Sequence, residues 1–81
     1  MAEMKELVEY IVTSIVDKPD EVSVYEIDEG MDLTIELSVG DGDMGRVIGK
    51  SGRVINSIRT VIQILAAKQG KRVSLELLEN D

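Results

Sequence analysis

The chain has no cysteine and no histidine, a single proline, and only two aromatic residues, both tyrosine, among 81 residues. Without cysteine there is no disulfide and no thiol chemistry. Without histidine as well, zinc-finger ligand sets and mechanisms that need an imidazole near neutral pH are excluded. Most enzyme chemistry goes with them, so a non-catalytic protein with no metal or cofactor is expected. Long apolar runs are missing too, and the first ten residues carry Glu3, Glu6 and Glu9 where a signal peptide would be basic and then apolar. A cytoplasmic location without membrane insertion follows by default. The length suits one small domain over residues 1–81, a size that buries only about 60% of the surface its unfolded chain exposes.

Acidic residues outnumber basic ones by 16 to 9, for a net charge of −7. The excess is not evenly spread. Between Gly45 and Ser74 lie Arg46, Lys50, Arg53, Arg59, Lys68, Lys71 and Arg72 with no acid, so this segment is +7 and the remainder −14. Such a bipolar chain suits a protein that meets a polyanion on one surface and stays soluble through the rest. Chance blocks of charge on helical surfaces give the same pattern, so charge alone does not decide.

Hydrophobic periodicity supplies the elements. Met4, Leu7, Val8, Ile11, Ile15 and either Val12 or Val16 form a helical stripe over residues 3–16, with Glu3, Glu6, Glu9, Thr13 and Asp17 largely outside it. Pro19 ends that helix. Val22 to Ile27 is rich in β-formers with apolar residues on both parities, which reads as an edge strand leading into a turn at Asp28-Glu29-Gly30. Met31, Leu33, Ile35, Leu37 and Val39 then alternate with polar residues, as a strand with one buried face does. Gly40-Asp41-Gly42-Asp43 closes it, with an Asp placed to cap a short helix from Met44 to Ile48.

A longer helix is predicted from about Arg53 to Gln69, with Val54, Ile55, Ile58, Val61, Ile62, Leu65 and Ala66 in one stripe. Gly70 stops it, with Lys68, Lys71 and Arg72 near the negative end of its dipole. Val73, Leu75 and Leu77 mark a last strand, and a polar tail covers 79–81. The order is α-β-β-α-α-β. A hairpin followed by a helical crossover gives a mixed three-stranded sheet, antiparallel then parallel, with three helices covering its apolar face: a two-layer α+β fold.

Between the two central helices stands Val47-Ile48-Gly49-Lys50-Ser51-Gly52-Arg53-Val54-Ile55, a glycine-bounded turn tipped with a cation. Two lookalikes overlap it. Gly40-Asp41-Gly42-Asp43-Met44-Gly45 fits the dinucleotide pattern G-x-G-x-x-G, but Asp41 and Asp43 would face a pyrophosphate and no acid follows at the ribose position. Gly45 to Ser51 ends like a phosphate-binding loop with one residue too few between its glycines. Gly49 and Gly52, lacking Cβ atoms, let a sugar-phosphate backbone come close, and the free N–H groups opening the long helix attract anions. Lys50 and Arg53 add charge, with Arg46 one turn earlier. Ile48 and Val54 are either walls of an apolar groove between the helices and the sheet or plain core, while Ile55 has core spacing.

Ile48-Gly49-Lys50-Ser51-Gly52-x-x-Ile55, set between two helices after a strand, resembles the K-homology (KH) domain, whose G-x-x-G loop clamps about four nucleotides of a single strand. The element order resembles the type II version. Over the whole chain the similarity is closest to the small bacterial single-KH proteins of the KhpA type, through the acidic amphipathic first helix and the core from Met44 to Gly52.

The resemblance implies a small single-stranded-RNA-binding, RNA-chaperone-like regulator of post-transcriptional events, linked in some bacteria to cell-envelope growth and division. It also implies pairing, as a homodimer or as a heterodimer with a larger KH-containing protein. The site it implies is Arg46, Ile48, Gly49, Lys50, Ser51, Gly52, Arg53 and Val54. With no Phe or Trp, stacking platforms of the RNA-recognition-motif or cold-shock kind are excluded, and a backbone clamp needs none.

The alternative is a protein-interaction module that keeps the fold and docks partners on its acidic first helix. Arg59, Lys68, Lys71 and Arg72 stay unassigned. Ile64, off the buried stripe, and Leu78, on the opposite parity of the last strand, are candidate subunit contacts.

Overall fold

The computed structural model describes residues 3–78, without the side chain of Glu3; the polar tail expected over 79–81 lies outside the described residues. Six main elements follow the expected order: α1 (Glu3–Ile15), β1 (Ser23–Glu29), β2 (Asp32–Ser38), α2 (Met44–Ile48), α3 (Arg53–Lys68) and β3 (Arg72–Leu77). Pro19–Glu21 forms a single 3-10 turn after α1, where the proline ring permits no further α-helical bond.

β2 is the central strand. It pairs antiparallel with β1 from Ser23↔Ser38 to Glu29↔Asp32, and parallel with β3 from Asp32↔Arg72 to Leu37↔Leu77. Leu33, Ile35 and Leu37 point into the core from β2, and Val39 is buried just after it. Met31, expected to begin this series, instead sits in the hairpin turn and is exposed, because the turn closes with Glu29 facing Asp32. β1 has apolar residues on both faces because only Val24 enters the core; Tyr25 and Ile27 face solvent.

The core is wholly aliphatic. α1 contributes Met4, Val8 and Val12, and α3 contributes Ile55, Ile58, Ile62 and Ala66. Trimming a fully buried residue such as Ile62 to alanine costs about 2–5 kcal/mol. Two stripe positions are exposed: Ile15 reaches the surface at the end of α1, and Val61 is 44% exposed on the flank of α3. Covering the sheet is work for two helices rather than three. α1 lies on β1, α3 lies on β3, and α2 rests against α3 and the side of α1.

α3 closes with paired 6→1 and 5→2 bonds, Lys71 N–H to Ala66 O at 2.8 Å and Gly70 N–H to Ala67 O at 3.0 Å. Lys71 and Arg72, read as partners of the helix end, turn instead to the hairpin, where they pair with Asp28 and Asp32 at 3.1 Å each. No helix among the described residues is long and apolar enough to cross a membrane.

Candidate nucleic-acid interface

α2 is only one and a half turns long and is anchored by the buried Val47. Its end passes directly into Gly49, whose N–H bonds to Gly45 O at 2.9 Å. Gly49 has φ 76° and ψ 175°, a region essentially reserved for glycine. A Cβ there would stand 2.8 Å from Val54 Cβ and 2.9 Å from Val54 N. The missing side chain of Gly49 therefore serves the packing of α3 against the turn. Gly52 differs: its φ of 75° and ψ of 13° are left-handed helical, and a Cβ would meet only Asn56 Nδ2 at 3.4 Å.

Between the glycines, Ser51 also takes a left-handed conformation, φ 58° and ψ 27°, which costs an L-residue about 1–2 kcal/mol. Gly52 N–H bonds back to Gly49 O at 3.2 Å. Positive φ at Gly49, Ser51 and Gly52 curls the chain into a compact tip on which Lys50 and Ser51 are exposed. Arg53 follows, exposed, in the first turn of the 16-residue α3.

The short helix is positioned by a residue whose role was misread from the sequence. Asp43 stands at the N-terminus of α2 but makes no side-chain capping bond to it. Its carboxylate is buried and accepts the backbone N–H groups of Asp17 at 3.1 Å and Lys18 at 3.0 Å. An Asp among glycines signals a local cap; nothing in the local pattern signals a partner 26 residues away. Arg46 completes this junction, with Nη2 2.9 Å from Asp17 Oδ2 and Nε 3.7 Å from Asp43 Oδ1.

Tertiary pairing sorts the seven cations of the basic segment. Arg46, Lys71 and Arg72 are matched to Asp17 and Asp43, Asp28, and Asp32. Arg59 donates from Nε and Nη2 to Leu75 O at 3.3 and 3.2 Å and from Nη1 to Asn56 Oδ1 at 3.1 Å. The side chains of Lys50, Arg53 and Lys68 have no ion-pair or hydrogen-bond partner among the described residues. Two of these three stand at the turn. The Lys71 ammonium, and after it the Gly30 N–H, hold the Asp28 carboxyl below its usual range.

An open apolar groove of about 390 Å³ adjoins the turn, lined by Ile11, Arg53, Val54, Ser57, Ile58 and Val61. It runs between α1 and α3. Val54 is half-buried in its wall; Ile48 is 37% exposed and not part of it, and Ile55 is core. Ile64 is 66% exposed on α3. Leu78, just past the end of β3, is also exposed. Among the described residues no group of three or more Asp or Glu side chains is placed to hold a metal ion.

The hairpin, the parallel crossover through two helices and the Gly-x-x-Gly turn between them define a type II KH fold. The family model described as "KhpA/KhpB, KH domain" matches residues 5–77, and the chain belongs to that family. Among its relatives is the RNA-binding protein KhpA of Halalkalibacterium halodurans, 50% identical over 76 residues that span 94% of this chain and 100% of the relative. The protein of the same name from Clostridium acetobutylicum is 49% identical over 93% of this chain and 100% of its own length. The one from Chlamydia trachomatis is 45% identical over 94% of this chain and 97% of its own. No solved structure matches the chain.

Proposed function

We propose that this chain binds single-stranded RNA without catalysis, gripping the sugar-phosphate backbone of about four nucleotides at Gly49-Lys50-Ser51-Gly52. The observation that carries this reading is the sorting of charge: in the basic segment, the cations at the turn lack partners while most of the others are neutralised. Lys50 and Arg53 meet phosphates, and the positive end of the α3 dipole beside Arg53 favours the same anions. Ile48 and Val54 offer apolar contact on either side of the tip. Arg46, tied to two carboxylates, holds the turn in place. The relatives named RNA-binding proteins support the same ligand.

A clamp that touches few phosphates binds weakly, and joining two clamps in one particle raises avidity without any new contact. The apolar groove between α1 and α3, with Ile64 exposed farther along α3, suits pairing with a second copy or with a larger KH-containing protein. On this reading the protein is a cytoplasmic, RNA-chaperone-like regulator, and cell-envelope growth and division is the process that the resemblance implies.

The test is the double variant Lys50→Asp/Ser51→Asp, which places two carboxylates at the tip. Its thermal transition should stay near that of the parent, while gel-shift or cross-linking assays with a single-stranded RNA lose binding. Binding at parental strength would overturn the assignment. If the double variant fails to fold, Lys50→Ala measured against salt takes its place: an affinity indifferent to salt would favour the rival reading, a protein-docking module built on α1.

A further inference from the structure

The side of the sheet that faces away from α1 and α3 has no covering element among the described residues. It is not the plain polar surface that such a face can be. Tyr25 and Ile27 stand on it, 62% and 43% exposed. The register sets Tyr25 opposite Glu36 and Glu36 opposite Glu76, with Ile27, Thr34 and Ser74 in the adjoining row. Glu36 and Glu76 are therefore direct cross-strand neighbours, and neither has a cation among the described residues. Like charges directly opposed across two strands weaken a sheet. Arg72, the cation on this face, is occupied with its cross-strand partner Asp32, two rows from the glutamates.

An aromatic and an aliphatic side chain beside an unrelieved acidic pair fit one class of occupant. Nucleic acid is repelled by the carboxylates. A second copy that used the same face would bring Glu36 and Glu76 against their own symmetry mates. A cationic polypeptide relieves the repulsion and covers the apolar surface together. We propose that this face docks a lysine- or arginine-bearing segment of a protein partner, with an apolar side chain seated on Tyr25 and Ile27 and its cations set against Glu36 and Glu76. The Gly49–Gly52 turn belongs to the helical layer on the other side, so such a partner and a nucleic acid can be held together.

The probe is a capped octapeptide alternating lysine and valine, titrated at low salt into the full chain while amide shifts are followed by NMR. Saturable shifts centred on Tyr25, Ile27, Glu36 and Glu76 are expected. The dissociation constant should rise at least tenfold in Glu36→Gln/Glu76→Gln and in Tyr25→Ser, and stay unchanged in Glu6→Gln/Glu9→Gln. The glutamine pair removes repulsion between a half-buried and an exposed side chain and keeps nearly the same size at both, so its folded spectrum is retained.

Several outcomes would overturn the proposal: no saturation by millimolar peptide, shifts centred on α1, or equal binding by a lysine–glycine peptide. Dilution shifts at Tyr25 and Glu76 without peptide would overturn it in favour of self-association. The experiment contains no RNA, so its result stands apart from that of the clamp.

Discussion

The place where a Cβ on Gly49 would sit lies 2.9 Å from the amide nitrogen of Val54, inside contact distance of the helix that follows the turn. Gly49→Ala must therefore both strain a glycine-only conformation and push α3 away. A loss of about 2–4 kcal/mol is expected by urea denaturation. Gly52→Ala has room for its methyl and pays only for a left-handed residue, about 1 kcal/mol. Equal losses at the two positions would show that the packing against Val54 is not what distinguishes them.

Charge sorting makes a prediction about salt. With two phosphates neutralised, one each by Lys50 and Arg53, the log–log slope of affinity against salt for a single strand should be about −1.4. Lys50→Ala and Arg53→Ala should each flatten it by about 0.7. Arg46→Ala should leave the slope in place and lower stability by up to about 1 kcal/mol, the range of a half-exposed ion pair. A slope change at Arg46 equal to that at Lys50 would mean that Arg46 leaves Asp17 to meet phosphate.

Asp43 ties the turn after α1 to the start of α2 through two backbone N–H groups. Removing the acceptor in Asp43→Ala strands both donors and should cost about 2–3 kcal/mol. Asp43→Asn keeps one acceptor oxygen and should cost about half as much. Hydrogen exchange at the Asp17 and Lys18 amides reads the effect directly, and unchanged protection there would contradict it.

Acid should act on the Lys71–Asp28 pair, 3.1 Å apart. The folded-state pKa of Asp28 is lowered, chiefly by the Lys71 hydrogen bond and then by the Gly30 N–H, so its stabilising contribution is complete above the unfolded value of about 3.9. It is lost as pH falls through the lower folded value. In Lys71→Ala the carboxyl carbon shift of Asp28 should titrate closer to the ordinary value. No movement would assign the effect to Gly30 alone.

Much of the molecule was legible in the order of its residues. Periods of 3.6 and 2 decide which residues form helix and which strand. A proline and glycines end elements because their backbones permit nothing else there, and a hairpin followed by a two-helix crossover leaves one mixed sheet topology. The Gly49–Gly52 turn was visible for the same local reason. Tertiary structure alone decided what long-range contact controls. It set Asp43 beneath the turn after α1 instead of on its own helix, opened the groove between α1 and α3, and placed Glu36 beside Glu76. It also chose which cations stay available, because an ion pair depends on distance in space. Arg46, Lys71 and Arg72 look like Lys50 and Arg53 in the sequence, and only folding brings carboxylates to the first three while leaving the two at the turn uncovered.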